Sequence, residues 1–419
     1  ASDVYKRQVG RLPKQIRSGK AKLQTSLLCQ SSFLLLILMA TTAKSQVTIT
    51  IDDVPQFYTP LWDDIYITGN FNGWEPADEN YKMQRLWDGT FTIDLNSTSG
   101  TLIEYKFTRG DWTSVETQVN GSFLPNRTFT YTPGQDINVQ VGAWEDLWGT
   151  HTATANTHIL TMSFEMPQFN RTRRIWIYLP QDYHNTTDHY PVLYLHDGQN
   201  VFDVAFSFAG EWGVDEAMIS LENAGEQPAI IVGIDNGEAE RTNEYTPWTH
   251  PTHGGGDGDA YIDFLVQTLK PAIESAFRTL PDRENTAIMG SSLGGLISFY
   301  GAIREQSVFS KAGIFSSSFW FSESAYTFPQ TVGKQADMRM YFLAGELEST
   351  TMVSDMEAMY DTLLSIGFGS GEMKTVSKPD GTHSEWFWER EFPDAYRWLF
   401  AMDTTTAIGA GYQTSEPFM

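Results

Sequence analysis

Residues 290–294 read Gly-Ser-Ser-Leu-Gly, and the stretches on either side of them decide which fold this chain adopts. The residues before them, Thr286–Met289, form a short apolar run that is typical of a buried strand. The residues after them, 295–304, have the composition of a buried helix. Glycine on both sides lets the backbone turn sharply, and such a turn lifts a serine hydroxyl out of the sheet. The context therefore favours a nucleophile at Ser292 over a tight turn without chemistry.

This strand–turn–helix arrangement resembles the nucleophile elbow of the α/β-hydrolases, in which the chain order is serine, acid, histidine. Of the eight histidines only His383 follows Ser292, so it is the predicted base that takes the hydroxyl proton. The acid that orients it should follow a strand between the two, because ligands of open α/β sheets bind beyond the carboxyl ends of strands. Met338–Ala344 is such a strand, and either Glu346 or Glu348 after it could serve.

Ester hydrolysis passes through a negatively charged oxygen that backbone N–H groups must stabilise. One predicted donor is the N–H of Leu293, directly after the nucleophile. The other should come from the loop after the early strand Val192–Leu195, where Gly198 and Gln199 are the candidates. Arg241 follows another buried strand, and we expect it either to bind an anionic substrate group or to stabilise its own loop.

The composition predicts a large folded protein with a leader. The chain has 419 residues, 41% hydrophobic and 14% aromatic, enough for two domains. Basic residues, the apolar run 33–39 and small residues up to Ala43 predict a secretory signal peptide over residues 1–43. The single cysteine, Cys29, precedes the apolar run, which argues against a lipid anchor. We therefore expect a secreted or periplasmic protein without membrane association after signal cleavage.

The net charge of the chain limits the classes of partner that it is expected to bind. The net charge is −24, and because residues 1–43 contain seven Lys/Arg and one Asp, the rest carries −30. Such a surface repels nucleic acid and anionic membranes, so neither is an expected partner. His250 and His253, with Asp257 and Asp259 nearby, could form a metal cluster, but the surrounding glycines favour a flexible loop. No metal and no other cofactor is expected.

Two patterns of secondary structure divide the chain. Residues 47–141 contain short alternating runs between turns, which predicts an immunoglobulin-like β-sandwich. Residues 142–157 form the predicted linker, residues 158–402 alternate strands with helices as in an open α/β sheet, and residues 403–419 form a polar tail. In the α/β region the predicted strands are 174–179, 192–195, 229–234, 286–289, 312–315 and 338–344, and the predicted helices are 260–277, 295–304, 355–366 and 385–400.

Several separate stretches resemble the putative-esterase branch of the α/β-hydrolases, which includes enterochelin, feruloyl and acetyl-xylan esterases and esterase D. These stretches are residues 190–199, the triple glycine 254–256, the elbow, and Gly381-Thr382-His383. The resemblance spans about residues 158–400 and implies ester hydrolysis through an acyl-enzyme without a metal. In this family the acid tends to come three residues after the strand-end glycine, which implies Glu348, although many members carry aspartate there.

The N-terminal region resembles a starch-binding carbohydrate module. Residues 69–74, 103–107, 111–112 and 126–127 follow that family's order, whereas residues 113–124 depart from it. The resemblance implies that Trp74 and Trp112 stack on sugar rings with Lys106 hydrogen-bonding nearby. An exposed indole can cover the apolar face of a sugar at little entropic cost. The alternative is an immunoglobulin-like spacer whose tryptophans belong to its core.

Together these patterns predict an α/β-hydrolase domain behind a β-sandwich, and a secreted serine esterase acting on small-molecule or polysaccharide esters of acetyl or feruloyl type. α-Glucan is the candidate ligand of the N-terminal module. A siderophore esterase is the alternative among enzymes, although the acidic chain disfavours it unless Arg241 lies in the pocket. A non-catalytic glycan-binding protein is the alternative of another class, and the pairing of Ser292 with His383 argues against it.

Overall fold

The computed structural model describes residues 45–55, 58–86 and 89–401. The predicted signal peptide, with Cys29, and the predicted tail lie outside these residues. Among the residues that the structure describes, no helix is both long and apolar enough to cross a membrane.

The N-terminal region is built from short strands, as alternation in its sequence predicts. Its strands are β1 Val47–Asp53, β2 Tyr66–Gly69, β3 Gln84–Arg85, β4 Phe91–Leu95, β5 Leu102–Thr108, β6 Glu116–Thr117, β7 Arg127–Thr130, β8 Asp136–Gln140 and β9 Ala143–Trp144. One sheet has the order β3-β4-β1-β8, a second β2-β5-β7, and β6 pairs with β9. Alternate residues of β1 (Val47, Ile49, Ile51) are fully buried, which is the pattern of a strand with one face on a core. This arrangement agrees with the predicted β-sandwich.

The segment predicted as a linker, residues 142–157, is packed against the rest of the protein. It contains β9, and Trp144 is fully buried with its Nε1 donating to Thr59 Oγ1 at 2.9 Å. Leu147 is also buried. Its polar composition resembles that of a flexible connection, but its side chains have partners that lie far away in sequence.

The C-terminal region contains one eight-stranded sheet. Its strands are β10 Thr157–Met166, β11 Arg171–Tyr178, β12 Val192–His196, β13 Ile230–Ile234, β14 Thr286–Ser291, β15 Lys311–Phe315, β16 Arg339–Gly345 and β17 Met373–Lys378. They lie in the order β10-β11-β13-β12-β14-β15-β16-β17, antiparallel across the first two pairs and parallel from β13 onward. Every residue of β12, β13 and β14 is buried, as expected of parallel strands covered on both faces. The predicted α/β-hydrolase fold class is confirmed.

Helices cover both faces of this sheet. They are α1 Val214–Asn223, α2 Arg241–Glu244, α3 Gly258–Phe264, α4 Lys270–Ala276, α5 Leu293–Arg304, α6 Ser324–Val332, α7 Met352–Ser365 and α8 Glu385–Phe400. The predicted helix 260–277 is divided by a five-residue π-helical stretch just before Pro271. Helix α5 is the most enclosed, with ten of its twelve residues buried. It extends directly from the serine of the elbow and fixes that residue against the sheet.

Six predicted strands and four predicted helices are present, and in this region β10, β17, α1, α2 and α6 were not predicted. Strand β17 lies at the sheet edge, and only one of its six residues is buried, so its sequence lacks an apolar pattern. Helix α6 contains Pro329, which is unfavourable in a helix interior.

The N-terminal region contacts the sheet through a buried charged group. The Arg109 Nη1 donates to Asp63 Oδ2 at 2.9 Å, and the Arg109 side chain is 1% exposed. The other carboxylate oxygen of Asp63 accepts a hydrogen bond of 2.8 Å from Thr161 Oγ1 in β10. Asp63 therefore joins the sandwich to the α/β sheet.

Candidate active site

Ser292 occupies a strained turn between β14 and α5. Its backbone has φ 58° and ψ −121°, a conformation that residues other than glycine rarely adopt. The flanking glycines are required by close packing. A Cβ on Gly290 would lie 2.8 Å from the Gly294 backbone, and a Cβ on Gly294 would lie 3.1 Å from Asp197 Oδ2. The local geometry is therefore that of the predicted elbow.

His383 lies beside the carboxylate of Glu348, both oxygens of which have hydrogen-bond partners. Its Nδ1 is 2.6 Å from Glu348 Oε2, and the Glu348 side chain is fully buried. Glu348 Oε1 accepts hydrogen bonds from Ser316 Oγ at 2.7 Å and from the Gly345 N–H at 2.6 Å. Trp388 Nε1 in turn donates to Ser316 Oγ at 2.8 Å. Because a carboxylate only accepts, His383 carries its proton on Nδ1 and keeps the Nε2 lone pair for a substrate-side proton.

The two candidate glutamates have different surroundings. Glu348 contacts His383, whereas Glu346 is exposed and its N–H donates to the Lys378 carbonyl across the edge of the sheet. The structure therefore brings Glu348, and not Glu346, to the histidine.

Ser292 and His383 line a common cavity of about 820 Å³. Its walls combine aromatic side chains with charged ones. Besides Ser292 and His383 the lining includes Gln199, Arg241, Arg174, Asp197, Asp235, Glu238, Glu385, Phe206, Phe208, Trp212 and Trp388. Phe208 is 92% exposed, so this apolar ring stands at the cavity rim without a core around it.

The predicted oxyanion donors differ in their placement. Leu293 is the first residue of α5, and the first amides of a helix have no acceptor within it. Gln199 lines the cavity, whereas a Cβ on Gly198 would lie 2.8 Å from the backbone of Gly233 and Ile234. Gly198 is thus packed against β13, whereas Gln199 is the candidate that lines the cavity.

Arg241 lies in the cavity wall and is held by an aspartate. Its Nε and Nη2 bond the two oxygens of Asp197 at 2.7 and 2.8 Å, and Asn236 Nδ2 donates to Asp197 Oδ1 at 2.7 Å. Burial acts to raise the pKa of Asp197, but the attraction of Arg241 outweighs it and lowers that pKa. Arg241 therefore lines the cavity in an ion pair with Asp197, and its two expected roles both stay predictions.

A second arginine–aspartate pair lies in the same wall. Arg174 Nη2 is 2.6 Å from Asp235 Oδ2, and Trp176 Nε1 donates to Asp235 Oδ1 at 2.9 Å. Burial raises the pKa of Asp235 even though Arg174 opposes that shift. Sequence patterns did not single out this pair.

His196 lies beneath the elbow and is almost completely buried. It is 2% exposed, its Nδ1 is 3.0 Å from the Tyr261 hydroxyl, and a Cβ on Gly290 would lie 3.0 Å from its ring. Burial lowers the pKa of His196 to about 3, so the ring is neutral at physiological pH. His196 is therefore a buried, uncharged packing residue beneath the elbow.

Other residues near the serine were missed by sequence reasoning. Ser318 Oγ is 3.4 Å from Ser292 Oγ, and Ser316 holds Glu348 as described above. Both follow the predicted strand 312–315 at its carboxyl end, where ligands of such sheets bind, and that position was the available signal.

The predicted sugar-binding residues of the N-terminal region are only partly brought together. The rings of Trp74 and Trp112 have centroids 6.4 Å apart, and Trp112 is 42% exposed, unlike a core tryptophan. Lys106 is 6% exposed, and its ammonium donates to the Leu124 carbonyl and lies 5.1 Å from the Phe123 ring. The two tryptophans therefore form an aromatic pair while Lys106 is engaged elsewhere.

His250 and His253 lie together on a loop, with ring centroids 4.6 Å apart. In the described ranges no group of three or more His, Cys, Asp or Glu side chains is arranged to hold a metal ion.

The chain matches known proteins over two separate regions. It is 25% identical over 251 residues to the uncharacterized protein YbbA of Bacillus subtilis (strain 168), which covers 56% of this chain and 95% of that protein. It is 42% identical over 89 residues to an alpha-amylase of Niallia circulans, covering 21% of this chain but only 7% of the amylase. Among solved structures, the BES protein from Bacillus cereus is 22% identical with a TM-score of 0.48, covering 59% of this chain and 95% of that one.

The model of the putative esterase family matches residues 166–399, which is more than half of the chain and includes the elbow, Glu348 and His383. The protein therefore belongs to the putative esterase family and is a carboxylic ester hydrolase.

Proposed function

We propose that this protein hydrolyses carbohydrate esters through an acyl-enzyme on Ser292. The observation that carries the proposal is the 2.6 Å contact between His383 Nδ1 and buried Glu348, in the same cavity as a serine at a strained elbow. A serine hydroxyl needs such a base, and the base needs a third group to fix its tautomer.

The reaction follows from these positions. His383 Nε2 takes the proton of Ser292 as Oγ bonds to the ester carbonyl carbon, and the carbonyl oxygen becomes negative. The carbon–oxygen bond to the alcohol then breaks, and the alcohol leaves with the proton from His383. A water molecule repeats the sequence on the acyl-enzyme, and a carboxylic acid and free serine result.

The oxyanion is proposed to receive hydrogen bonds from the N–H groups of Leu293 and Gln199. The N-terminus of α5 supports this assignment, because the partial positive charge of a helix start stabilises a nearby anion. Gly198 contributes the turn that brings Gln199 to the cavity.

The charges of the cavity favour a neutral, hydroxyl-rich substrate. Both arginines in its wall are already paired, Arg241 with Asp197 and Arg174 with Asp235. The wall also contains Glu238 and Glu385, so carboxylates outnumber the cations. Such a site accepts hydrogen bonds from sugar hydroxyls and offers little net attraction to an anionic iron–siderophore complex.

The N-terminal region supports a polysaccharide context. Its match to part of an alpha-amylase and its pair of half-buried Trp74 and exposed Trp112 are the basis for proposing α-glucan as its ligand. The signal peptide predicted over residues 1–43 is the basis for proposing export to the periplasm or medium, where polysaccharide is found.

The reaction is tested with p-nitrophenyl acetate. Wild-type protein should release a burst of p-nitrophenol equal to the enzyme concentration and form an acetylated species visible by mass spectrometry, whereas Ser292→Ala should do neither. Ser298→Ala is the matched control. It removes a hydroxyl of helix α5 that donates to the Gly294 carbonyl, and Ser298 lies outside the cavity lining. Equal rates in wild type and Ser292→Ala would refute the mechanism.

The substrate class is tested by comparing acetylated and feruloylated sugars with a siderophore tri-ester. The highest kcat/KM should belong to a sugar ester, and preference for the siderophore would overturn this part of the proposal. Affinity electrophoresis in soluble starch tests the glucan ligand, and equal retardation of wild type and Trp112→Ala would contradict it.

A further inference from the structure

The connection between the two regions touches a loop that lines the cavity. We call residues 151–154 the junction segment and residues 203–213, between the 3₁₀ turn at 198–200 and α1, the cavity loop. The His151 Nδ1 lies 2.7 Å from Asp203 Oδ2, and the Thr152 N–H donates to Asp203 Oδ1 at 3.2 Å. Val204 N–H donates to Thr152 Oγ1 at 2.8 Å, and that hydroxyl donates to Glu211 Oε2 at 2.6 Å. The junction segment thus binds the cavity loop near both of its ends.

The first of these contacts is buried. The side chain of His151 is 6% exposed and that of Asp203 is fully buried. On one side the His151 ring stacks on Tyr58 of the N-terminal region with centroids 3.8 Å apart, and on the other it meets Phe206 of the cavity loop at 5.8 Å. A single side chain therefore links the sandwich to the wall of the cavity.

The cavity loop is fixed at its C-terminal end by Trp212, which is buried and stacks on Phe315 with ring centroids 5.6 Å apart, whereas its central part is exposed. Four consecutive residues, 206–209, line the cavity, and Phe208 among them is 92% exposed. Beyond the junction segment, the Phe208 N–H donates to Asn200 Oδ1 at 2.9 Å. The polar contacts of the junction segment therefore act on the part of the loop that precedes Trp212, where the exposed Phe208 contributes little burial.

We propose that the junction segment positions the cavity loop and thereby determines which acyl groups the esterase accepts. The inference rests on the proposed function, because it concerns access to Ser292. His151 and Thr152 are positioning residues, and they act through Phe206 and Phe208. A bulky aromatic acyl group such as feruloyl fills the space beside these rings and depends on them, whereas an acetyl group does not.

The test uses the full-length protein and two esters, one feruloyl and one acetyl. Thr152→Val removes the hydroxyl that both accepts from Val204 and donates to Glu211, while it preserves shape. One lost hydrogen bond corresponds to about a threefold to tenfold effect, so KM for the feruloyl ester should rise by that factor while kcat changes little. Both constants for the acetyl ester should stay within about twofold of wild type. Thr152→Ser should restore the feruloyl KM.

Thr161→Val is the matched control. It deletes a threonine hydroxyl that also joins the two regions, through Asp63, but lies outside the cavity lining. It should leave both substrates unchanged. His151→Ala should give a larger feruloyl effect than Thr152→Val, and its melting temperature shows whether the variant is folded.

Hydrogen exchange provides a readout that does not depend on catalysis. Amides of residues 203–213 should exchange faster in Thr152→Val than in wild type or Thr161→Val. Unchanged exchange, an equal loss on both esters, or an equal effect of Thr161→Val would overturn the inference. Failure of the proposed function has a different signature, namely a wild-type protein that neither hydrolyses esters nor reacts with a fluorophosphonate at Ser292.

Discussion

His383 shares a cavity with Ser292, and His196 packs against the glycines of its turn, so the two histidines have different surroundings. His383 follows β17, is partly exposed in the cavity and pairs with the Glu348 carboxylate. His196 ends β12 beneath the elbow, contacts the neutral Tyr261 hydroxyl, and is kept uncharged by burial. Two residues of one type are thus distinguished by solvent access and by partner: His383 faces the cavity beside a carboxylate, and His196 is packed as an uncharged ring.

The strongest test of this contrast is His383→Ala. Without a base the serine hydroxyl keeps its proton, so kcat on p-nitrophenyl acetate should fall by about 10⁴-fold or more. The folded state should persist, because the ring is partly exposed, and circular dichroism checks that. A variant with more than one tenth of the wild-type kcat would show that His383 is not the base.

Glu348→Gln should give the next largest loss. The amide keeps the size of the side chain but no longer holds His383 with Nδ1 protonated, and kcat should fall by about 10³- to 10⁴-fold. Glu346→Gln is the matched control on the same loop, and we expect wild-type kcat. Should the two variants lose activity equally, the role of Glu348 would have to be given up.

Arg241→Met should reduce stability. Removal of the cation leaves Asp197 charged in a largely buried site, at a cost of about 2–4 kcal/mol in the free energy of unfolding measured with urea. The full loss in the free energy of unfolding should be observed at pH values above the ordinary aspartate pKa. Because Arg241 lowers the pKa of Asp197, the stabilisation from this ion pair is lost as the pH falls through the lowered pKa. The difference in unfolding free energy between wild type and Arg241→Met should therefore shrink on acidification. A difference that stays constant from pH 7 to pH 3 would contradict the ion pair.

His196→Gln should have the smallest effect on chemistry and a modest one on stability. At pH 8 the loss of the Tyr261 contact should cost about 1–2 kcal/mol, with kcat within about threefold of wild type. Burial lowers the pKa of His196 from 6.5 to about 3, so on acidification the unfolded wild-type chain is protonated before the folded protein. Wild-type stability therefore falls as the pH drops below 6.5. Glutamine does not titrate, so the gap between the two proteins should close there. A gap that widens on acidification would mean that His196 is charged in the folded state.

Local sequence rules predicted the parts of the site that depend on neighbouring residues. The elbow could be predicted because two glycines and a strand–helix transition restrict the backbone at Ser292, and chain order left His383 as the one histidine after it. Spacing alone left Glu346 and Glu348 open. Only tertiary packing separates them, since one carboxylate is buried beside Ser316 and the other faces solvent.

Contacts between distant residues could not be predicted in this way. The Arg241–Asp197 pair joins residues 44 positions apart, and the His151–Asp203 contact joins residues 52 apart. The junction segment looked like a linker because its composition is polar, and nothing in its sequence identifies which buried groups it contacts. Burial of Lys106 has the same origin, because it depends on how residues 123–124 fold over it.

The backbone conformation of Ser292 disfavours folding, whereas its hydroxyl is required for the proposed reaction. A left-handed φ at a residue with a Cβ costs folding free energy, and glycine at this position would relieve that cost while it removes the hydroxyl. The Ser292→Gly variant should therefore be catalytically inactive, and its melting temperature should be no lower than that of the wild type. Selection for thermal stability alone would favour loss of the proposed nucleophile, so any effort to stabilise this protein has to measure turnover at every round.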